Sequence, residues 1–355
     1  EKYQSAYRKY HSTETALIRV QNNILLALGD RKACLLLLLD LSSAFDTVDH
    51  AGLLSTLSEI GLKDITLAWF SSYLKDRYQC VRIGDASSSH KPLLSGVPQG
   101  SVLGPVLFTL YTASLGRVIE TYSLNYHFYA DDTSLYLTFE VADLPDAVDR
   151  MQQCAEAVRQ WMVQNMLKMN ADKTELLMIA TKNVSAQSPS GIPVLTVGGA
   201  QIPPSEVVKY IGVLMDRYLQ LDGYVDDMCK TARMHLYRIG RVRSLLTKSA
   251  CAKLILAFVS SRLDNCNALL VGLPKRQLQK IQLVQNSAAR LLTLTGRRER
   301  ITPILRELHW LPVAQRCQFR VAMHAYKCLH HMPPLLFIPR GSAALLHSWS
   351  TFEVS

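Results

Sequence analysis

The stretch Tyr126-His127-Phe128-Tyr129-Ala130-Asp131-Asp132-Thr133-Ser134-Leu135-Tyr136-Leu137 decides how this chain is read. Its apolar and aromatic arms predict a β-hairpin over 125–138 with two adjacent carboxylates at the tip. Working outward, a further acid, Asp40, ends the all-apolar run Leu35 to Leu39. That run, bounded by turn and charge, predicts a central strand over 34–40 buried on both faces. Three acids at strand ends, with no cation in the same stretches, are costly unless something positive binds them. A pair of Mg²⁺ ions meets that need. Two hard cations about 3.5–4 Å apart clamp the attacking and leaving oxygens of a phosphoryl transfer. An Asp-Asp pair alone is weak evidence, since acids are common in hairpin turns.

Between the two acid sites lies Ser95-Gly96-Val97-Pro98-Gln99-Gly100-Ser101-Val102-Leu103-Gly104-Pro105. Glycines let backbone approach a ligand closely. Gln99 offers a donor and an acceptor to a base or sugar, and the helix start that follows favours phosphate. An ordinary turn before a buried helix explains the Gly and Pro residues but not their placement between the acids.

Apolar periodicity predicts helices over 12–28 (capped by Ser12 or Thr13), 50–60, 64–74, 104–115 and 145–168. A hairpin is expected over 78–94, and strands over 175–180, 194–197 and 207–214, with a Gly198-Gly199 turn. Residues 181–193 read as a loop. From 222 the pattern turns helical, over 222–246, 249–262, 275–295 and 312–331. The tail from Gly341 is Ser-rich and expected to fray. The order is mixed α+β first, then all-α.

A chain of 355 residues that is 48% hydrophobic can bury a sizeable core and form two subdomains. The run Ala33 to Leu39 is too short to span a bilayer, so no membrane partner is expected. Glu1 opens the chain with no signal-peptide core, which reads as an internal piece of a longer soluble protein. The eight cysteines are scattered without C-x-x-C pairs or zinc spacing, as in an intracellular protein with reduced thiols. Between positions 230 and 340 there are 20 Lys/Arg against 3 Asp/Glu, which leaves the rest of the chain net negative. One part is then suited to grip a polyanion and the other to metal chemistry. A generic solvated basic face is the plainer alternative.

Several motifs carry a family resemblance. Leu39-Asp40-Leu41-Ser42-Ser43-Ala44-Phe45-Asp46-Thr47-Val48-Asp49-His50 resembles the first catalytic motif of reverse transcriptases from LINE-type (non-LTR) retrotransposons. Residues 95–107 resemble their Pro-Gln-Gly motif, and Tyr129-Ala130-Asp131-Asp132 is similar to their aromatic-Ala-Asp-Asp box. Residues 167–175 and Val208-Lys209-Tyr210-Ile211-Gly212-Val213 resemble the next motif and the primer-grip hairpin. Residues 4–17 resemble the segment that precedes the palm, and residues 305–313 the C-terminal region. The motifs come in family order and cover nearly the whole chain.

The resemblance implies a reverse-transcriptase palm, an antiparallel sheet with flanking helices, followed by an α-helical thumb. Expected bounds are 1–34 for the end of the fingers and a leading helix, and 35–216 for the palm. The basic thumb and C-terminal region would take 217–340, and a tail 341–355. Such elements carry fingers and an endonuclease ahead of the matched segments, so this chain is expected to be a fragment.

The implied activity is RNA-directed DNA synthesis with RNA template, DNA primer or target and deoxynucleoside triphosphates, in the nucleus and cytoplasm. Oligomeric state is left open. Asp40, Asp131 and the Leu41 carbonyl would hold two Mg²⁺ (or Mn²⁺) ions, with Asp132 ranked behind them. Phe45 would sit beneath the sugar and exclude a 2′-hydroxyl, or is a core aromatic. Gln99 and Gly100 would border the incoming nucleotide. Lys173 would protonate departing pyrophosphate, or is an ordinary surface lysine. Tyr210, Ile211, Gly212 and Val213 would steady the primer end. Arg238, Arg241, Arg243, Lys248 and Lys253 would contact duplex backbone. Asp46 and Asp49 read as helix-start acids rather than ligands, and His309-Trp310 as a helix contact rather than a base stack. The rival readings are an inactive nucleic-acid-binding remnant of such an enzyme and an RNA-templated RNA polymerase with a similar palm.

Overall fold

The structure is a computed structural model that describes residues 2–186 and 194–330. The expected loop beyond residue 186 and the expected tail fall outside the described residues. Contacts divide the chain into two compact units: Glu1–Arg8 with Ile24–Ile211, and Lys9–Asn23 with the chain from Gly212 on.

A five-stranded sheet builds the first unit. Its members are β1 (Ala33–Ser42), β2 (Asn125–Tyr129), β3 (Asp132–Phe139), β4 (Lys168–Ile179) and β5 (Pro204–Ser205), in the spatial order β5-β4-β1-β3-β2. All pairings are antiparallel except β5 with β4. β1 is the central strand, and Leu35, Leu36 and Leu37 are fully buried. Burying each such side chain contributes about 1.5–3 kcal/mol. Because side chains alternate, Ala33, Leu35, Leu37 and Leu39 enter the main core. Cys34, Leu36, Leu38 and Asp40 therefore share the opposite face.

The longer helices of this unit are α2 (His50–Glu59), α3 (Asp64–Leu74), α4 (Gly104–Tyr111), α5 (Leu115–Glu120) and α6 (Leu144–Gln164); α1 (Thr13–Gly29) ends in it, and the loop expected from 181 opens with a single helical turn, Lys182–Ser185. Leu107, Phe108 and Tyr111 of α4 and Met151, Cys154, Ala155 and Val158 of α6 fill the core. Asp49 caps α2, accepting from the Gly52 N–H at 2.6 Å, as its reading as a helix-start acid requires. The helix expected over 104–115 ends at Tyr111, and after a break a second one, not expected, runs from Leu115 to Glu120. The strand expected over 175–180 begins earlier, at Lys168. Its polar first half pairs with β1 across an irregularity: Leu38 faces Glu175, but Asp40 faces Asn170.

The longer helices after Gly212 in the second unit are α7 (Asp222–Arg241), α8 (Lys248–Ile255), α9 (Lys275–Thr293), α10 (Ile301–Glu307) and α11 (Val313–Leu329). α9 lies at its centre, touching the other four. Trp310 is half-buried against Ala289, Ile304 and Leu305, consistent with a helix contact. Lys9–Asn23 contributes a buried acid, Glu14. Its carboxylate accepts from Arg320 Nε at 2.8 Å and the Ala268 N–H at 3.1 Å, with His324 Nε2 at 3.2 Å. Burial pushes its pKa up, but the His324 and Ala268 hydrogen bonds and the Arg320 charge outweigh that, leaving it lowered.

Candidate active site

β2 and β3 pair in register, with Tyr129 opposite Asp132, so Ala130 and Asp131 form a two-residue turn. Ala130 has a φ of 59°. The left-handed region at the first residue of such a turn normally takes glycine. Holding alanine there costs about 1–3 kcal/mol and persists only where surrounding contacts impose it.

β1 pairs with β3 up to Leu39 opposite Thr133. Continued by one residue, that register puts Asp40 across from Asp132. Both carboxylates line one pocket of about 390 Å³ with Lys173, Lys209, Tyr210 and Ile211. Asp131 does not line this pocket; it borders a small cavity beside Phe108 and Phe128, and Thr133 lines both. The two differ in backbone setting: Asp131 lies in the turn, whereas Asp132 opens β3. The sequence ranking placed Asp132 behind Asp131, whereas in the structure Asp132 is the one that joins Asp40 in the pocket.

The three acids still sense one another. Burial pushes the Asp132 carboxyl up to about 6, helped by the charges of Asp131 and then Asp40. Its outer edge is open to solvent, yet the strands around it strip much of its hydration. Asp40 Oδ2 is buried without a hydrogen bond, and its nearest cation, Lys173 Nζ, lies 3.6 Å away on an exposed side chain. Lys173 reaches that place because residues 171–174 loop out at the irregularity opposite Leu39. Thr174 Oγ1, bonded to the Asn170 carbonyl at 2.8 Å, ties the loop at its base. Irregular strand pairing of this kind often re-aims a side chain beside an active site.

Hard carboxylate oxygens, one of them buried and unbonded, suit a hard divalent cation. Among the described residues no group of three or more His, Cys, Asp or Glu is arranged to ring an ion. A pair of carboxylates suits an ion that keeps waters and shares substrate phosphates. Leu41, whose carbonyl was named as a further ligand, is buried at the end of β1.

The remaining predicted residues divide. Tyr210 is buried, and its hydroxyl meets Ser134 Oγ at 2.8 Å on the pocket face of β3. Ile211 turns with a φ of 44° and lines the pocket; Gly212 and Val213 belong to the second unit. Phe45 does not reach the pocket and stacks on Phe108, with centroids 4.7 Å apart. Gln99 and Gly100 are exposed, and the Gln99 amide leans on Asp46 at 3.4 Å. The Pro-Gln-Gly loop is strapped to the segment after β1: Gly96 N–H donates to Val48 and Val97 N–H to Phe45, both at 2.8 Å. A Cβ on Gly96 would come within 2.8 Å of the Asp46 carbonyl, so only glycine fits there.

In the second unit, Arg238, Arg241 and Lys253 are exposed, and Lys248 pairs with Glu307 at 3.4 Å. Arg243 differs. Its guanidinium donates to the carbonyls of Leu291, Leu292 and Leu246 at 2.9–3.0 Å, which commits it to the end of α9 rather than to a phosphate. Lys209, Asp172, Ser134 and Gln4 were not singled out from the sequence for a role at this site. The first two become neighbours of Asp40 only through the folding of distant segments. Gln4 was visible as part of a motif, without any sign of what it touches.

No helix among the described residues is long and apolar enough to cross a membrane. The reverse transcriptase (RNA-dependent DNA polymerase) family profile matches residues 1–215. Three curated Drosophila melanogaster proteins are similar along most of the chain. The probable RNA-directed DNA polymerase from transposon BS is 27% identical over 93% of this chain and 36% of that protein. For the probable polymerase from transposon X-element the figures are 30%, 82% and 32%. For the polymerase from mobile element jockey they are 26%, 98% and 38%. The chain thus spans about a third of the length of these relatives. Enzymes of this family generally use divalent metal ions. With an antiparallel palm carrying the acid-tipped hairpin, the chain belongs to the reverse transcriptases of LINE-type, non-LTR retrotransposons.

Proposed function

We propose that the first unit catalyses RNA-directed DNA synthesis during retrotransposition, inside the cell and in the nucleus as well as the cytoplasm. The observation that carries this reading is the shared pocket of Asp40 and Asp132, with one carboxylate oxygen buried and unbonded and the other group's pKa raised. Asp40 and Asp132 would hold Mg²⁺ or Mn²⁺, aided by the Leu41 carbonyl and by the nearby charge of Asp131. Ions held by these residues would supply the positive charge that favours an ionised primer 3′-hydroxyl and a departing pyrophosphate.

The chain's own residues do the positioning. Tyr210 and Ile211, continued by Gly212 and Val213, steady the primer end against β3. Gln99 and Gly100 border the incoming deoxynucleoside triphosphate. Lys173, held beside Asp40, is the proton donor to the leaving group. Phe45, stiffened by Phe108, selects the sugar; Phe45→Val then raises ribonucleotide incorporation. The helical unit is the thumb, gripping template and primer through Arg238, Arg241, Lys248 and Lys253 without sequence choice.

Primer extension on an RNA template with Mg²⁺ tests the reading. Incorporation that disappears in Asp40→Asn and in Asp132→Asn supports it. Nucleic-acid binding without incorporation by the wild-type chain would instead make this protein an inactive remnant.

A further inference from the structure

We infer that Gln4 is a positioning residue for the acid-bearing turn, acting through the backbone of Ala130. The inference rests on the reading of the Asp40–Asp132 pocket as a metal site and extends it to a segment with no assigned role.

Gln4 is a polar side chain only 2% exposed. Its Oε1 accepts two backbone N–H groups, from Ala6 at 2.8 Å and from Ala130 at 3.2 Å. The first contact folds the segment on itself, and the second reaches across to the hairpin tip. Backbone bonds align the two: Phe128 N–H donates to the Tyr3 carbonyl at 2.9 Å, and Ser5 N–H to the Phe128 carbonyl at 3.0 Å. Residues 3–5 thus lie along β2 as a short parallel neighbour. Arg8 closes the segment, donating to the Gln4 carbonyl at 3.0 Å.

The target of this clamp is specific. In a two-residue hairpin turn the first loop N–H has no partner within the hairpin. Here that N–H belongs to Ala130, the residue held at a φ of 59° and followed directly by Asp131 and Asp132. Gln4 satisfies this N–H and fixes the conformation that an alanine resists. A side chain of similar size without an acceptor would leave both N–H groups unbonded and free the turn to relax. Relaxation there re-aims both carboxylates.

Mn²⁺ titration of the full chain, followed by the electron paramagnetic resonance of free ion, reads this without requiring catalysis. Each variant is first shown folded by circular dichroism. Gln4→Leu is expected to bind Mn²⁺ about tenfold more weakly, the usual scale for removing a group that orients a ligand. Adding Ala130→Gly should bring Gln4→Leu back to near wild-type affinity, because glycine adopts the positive φ without a clamp. Gln4→Glu keeps the acceptor oxygens and should bind at least as tightly as wild type. That arm decides the matter if Gln4→Leu does not fold. Unchanged affinity in Gln4→Leu, no recovery with Ala130→Gly, or a tenfold loss in Gln4→Glu overturns the inference. A wild-type chain whose Mn²⁺ binding is insensitive to Asp40→Asn and Asp132→Asn overturns the metal site itself, and this inference with it.

Discussion

Two clusters of acidic chemistry in this molecule have opposite solutions. In the second unit, Glu14 is almost wholly buried, and Arg320, His324 and the Ala268 N–H compensate it, so its pKa falls below the usual carboxylate value. In the first unit, Asp40 and Asp132 share a pocket whose nearest cation to Asp40 is an exposed lysine, and the Asp132 carboxyl is pushed up to about 6. The first arrangement stabilises a fold. The second costs stability unless a further cation arrives, which is the expected signature of a working site. Charged groups that hold a structure together find close partners within it, whereas Asp40 has only the exposed Lys173 at 3.6 Å.

The largest effect that could break this contrast is catalytic. Asp40→Asn should lower primer extension by about a thousandfold, the scale of removing a main electrostatic contributor. Its melting temperature should stay the same or rise; a fall would mean that Asp40 is structural, like Glu14. Glu14→Gln should do the reverse. It leaves Arg320 and His324 without their acid and should cost about 2–3 kcal/mol in denaturant unfolding, less than a fully buried broken pair because Arg320 is half exposed. Mn²⁺ binding should not change.

The pH dependence follows with its sign. Because the folded-state pKa of Glu14 is lowered, its contribution is present above about pH 4.5, the ordinary value. It is lost as the pH falls through the folded value. Acid titration of stability should therefore be steeper in wild type than in Glu14→Gln. Asp132→Asn removes repulsion at a partly solvated site and should raise stability by about 1 kcal/mol in metal-free buffer. The smallest effects separate the basic residues. Arg238→Ala should reduce the salt dependence of nucleic-acid binding by about one unit of slope. Arg243→Ala should instead lower the melting temperature and leave that slope unchanged.

Much of this contrast was open to reading before any coordinates. The apolar run before Asp40 and the aromatic arms around Asp131 announce three strands, because only a buried sheet accepts such runs ended by charge. That Asp131 stays in the turn while Asp132 opens β3 was not legible, because a pair of adjacent acids invites treatment as one unit. The start of β4 was hidden, since Lys168 to Thr174 is polar and follows β1 through an irregularity rather than a clean apolar pattern. α10 was hidden too: seven residues from Ile301 to Glu307 are too few for a helical period to stand out. Arg243 reads as one more cation in a basic run. Only the fold shows that helix-end carbonyls of α9 claim it, because those partners lie almost fifty residues away in sequence. Glu14 was concealed in the same way, its partners lying on α11 and the segment before α9.

The most direct test of the central claim is the melting temperature of the chain with and without Mg²⁺. A cation that binds only the folded acid pocket stabilises by about 2.7 kcal/mol at a hundred times its dissociation constant. The account predicts a rise of a few degrees in wild type that is absent in the Asp40→Asn/Asp132→Asn double variant, which should also melt above metal-free wild type. An equal Mg²⁺-induced rise in both proteins, or none in wild type, would contradict it.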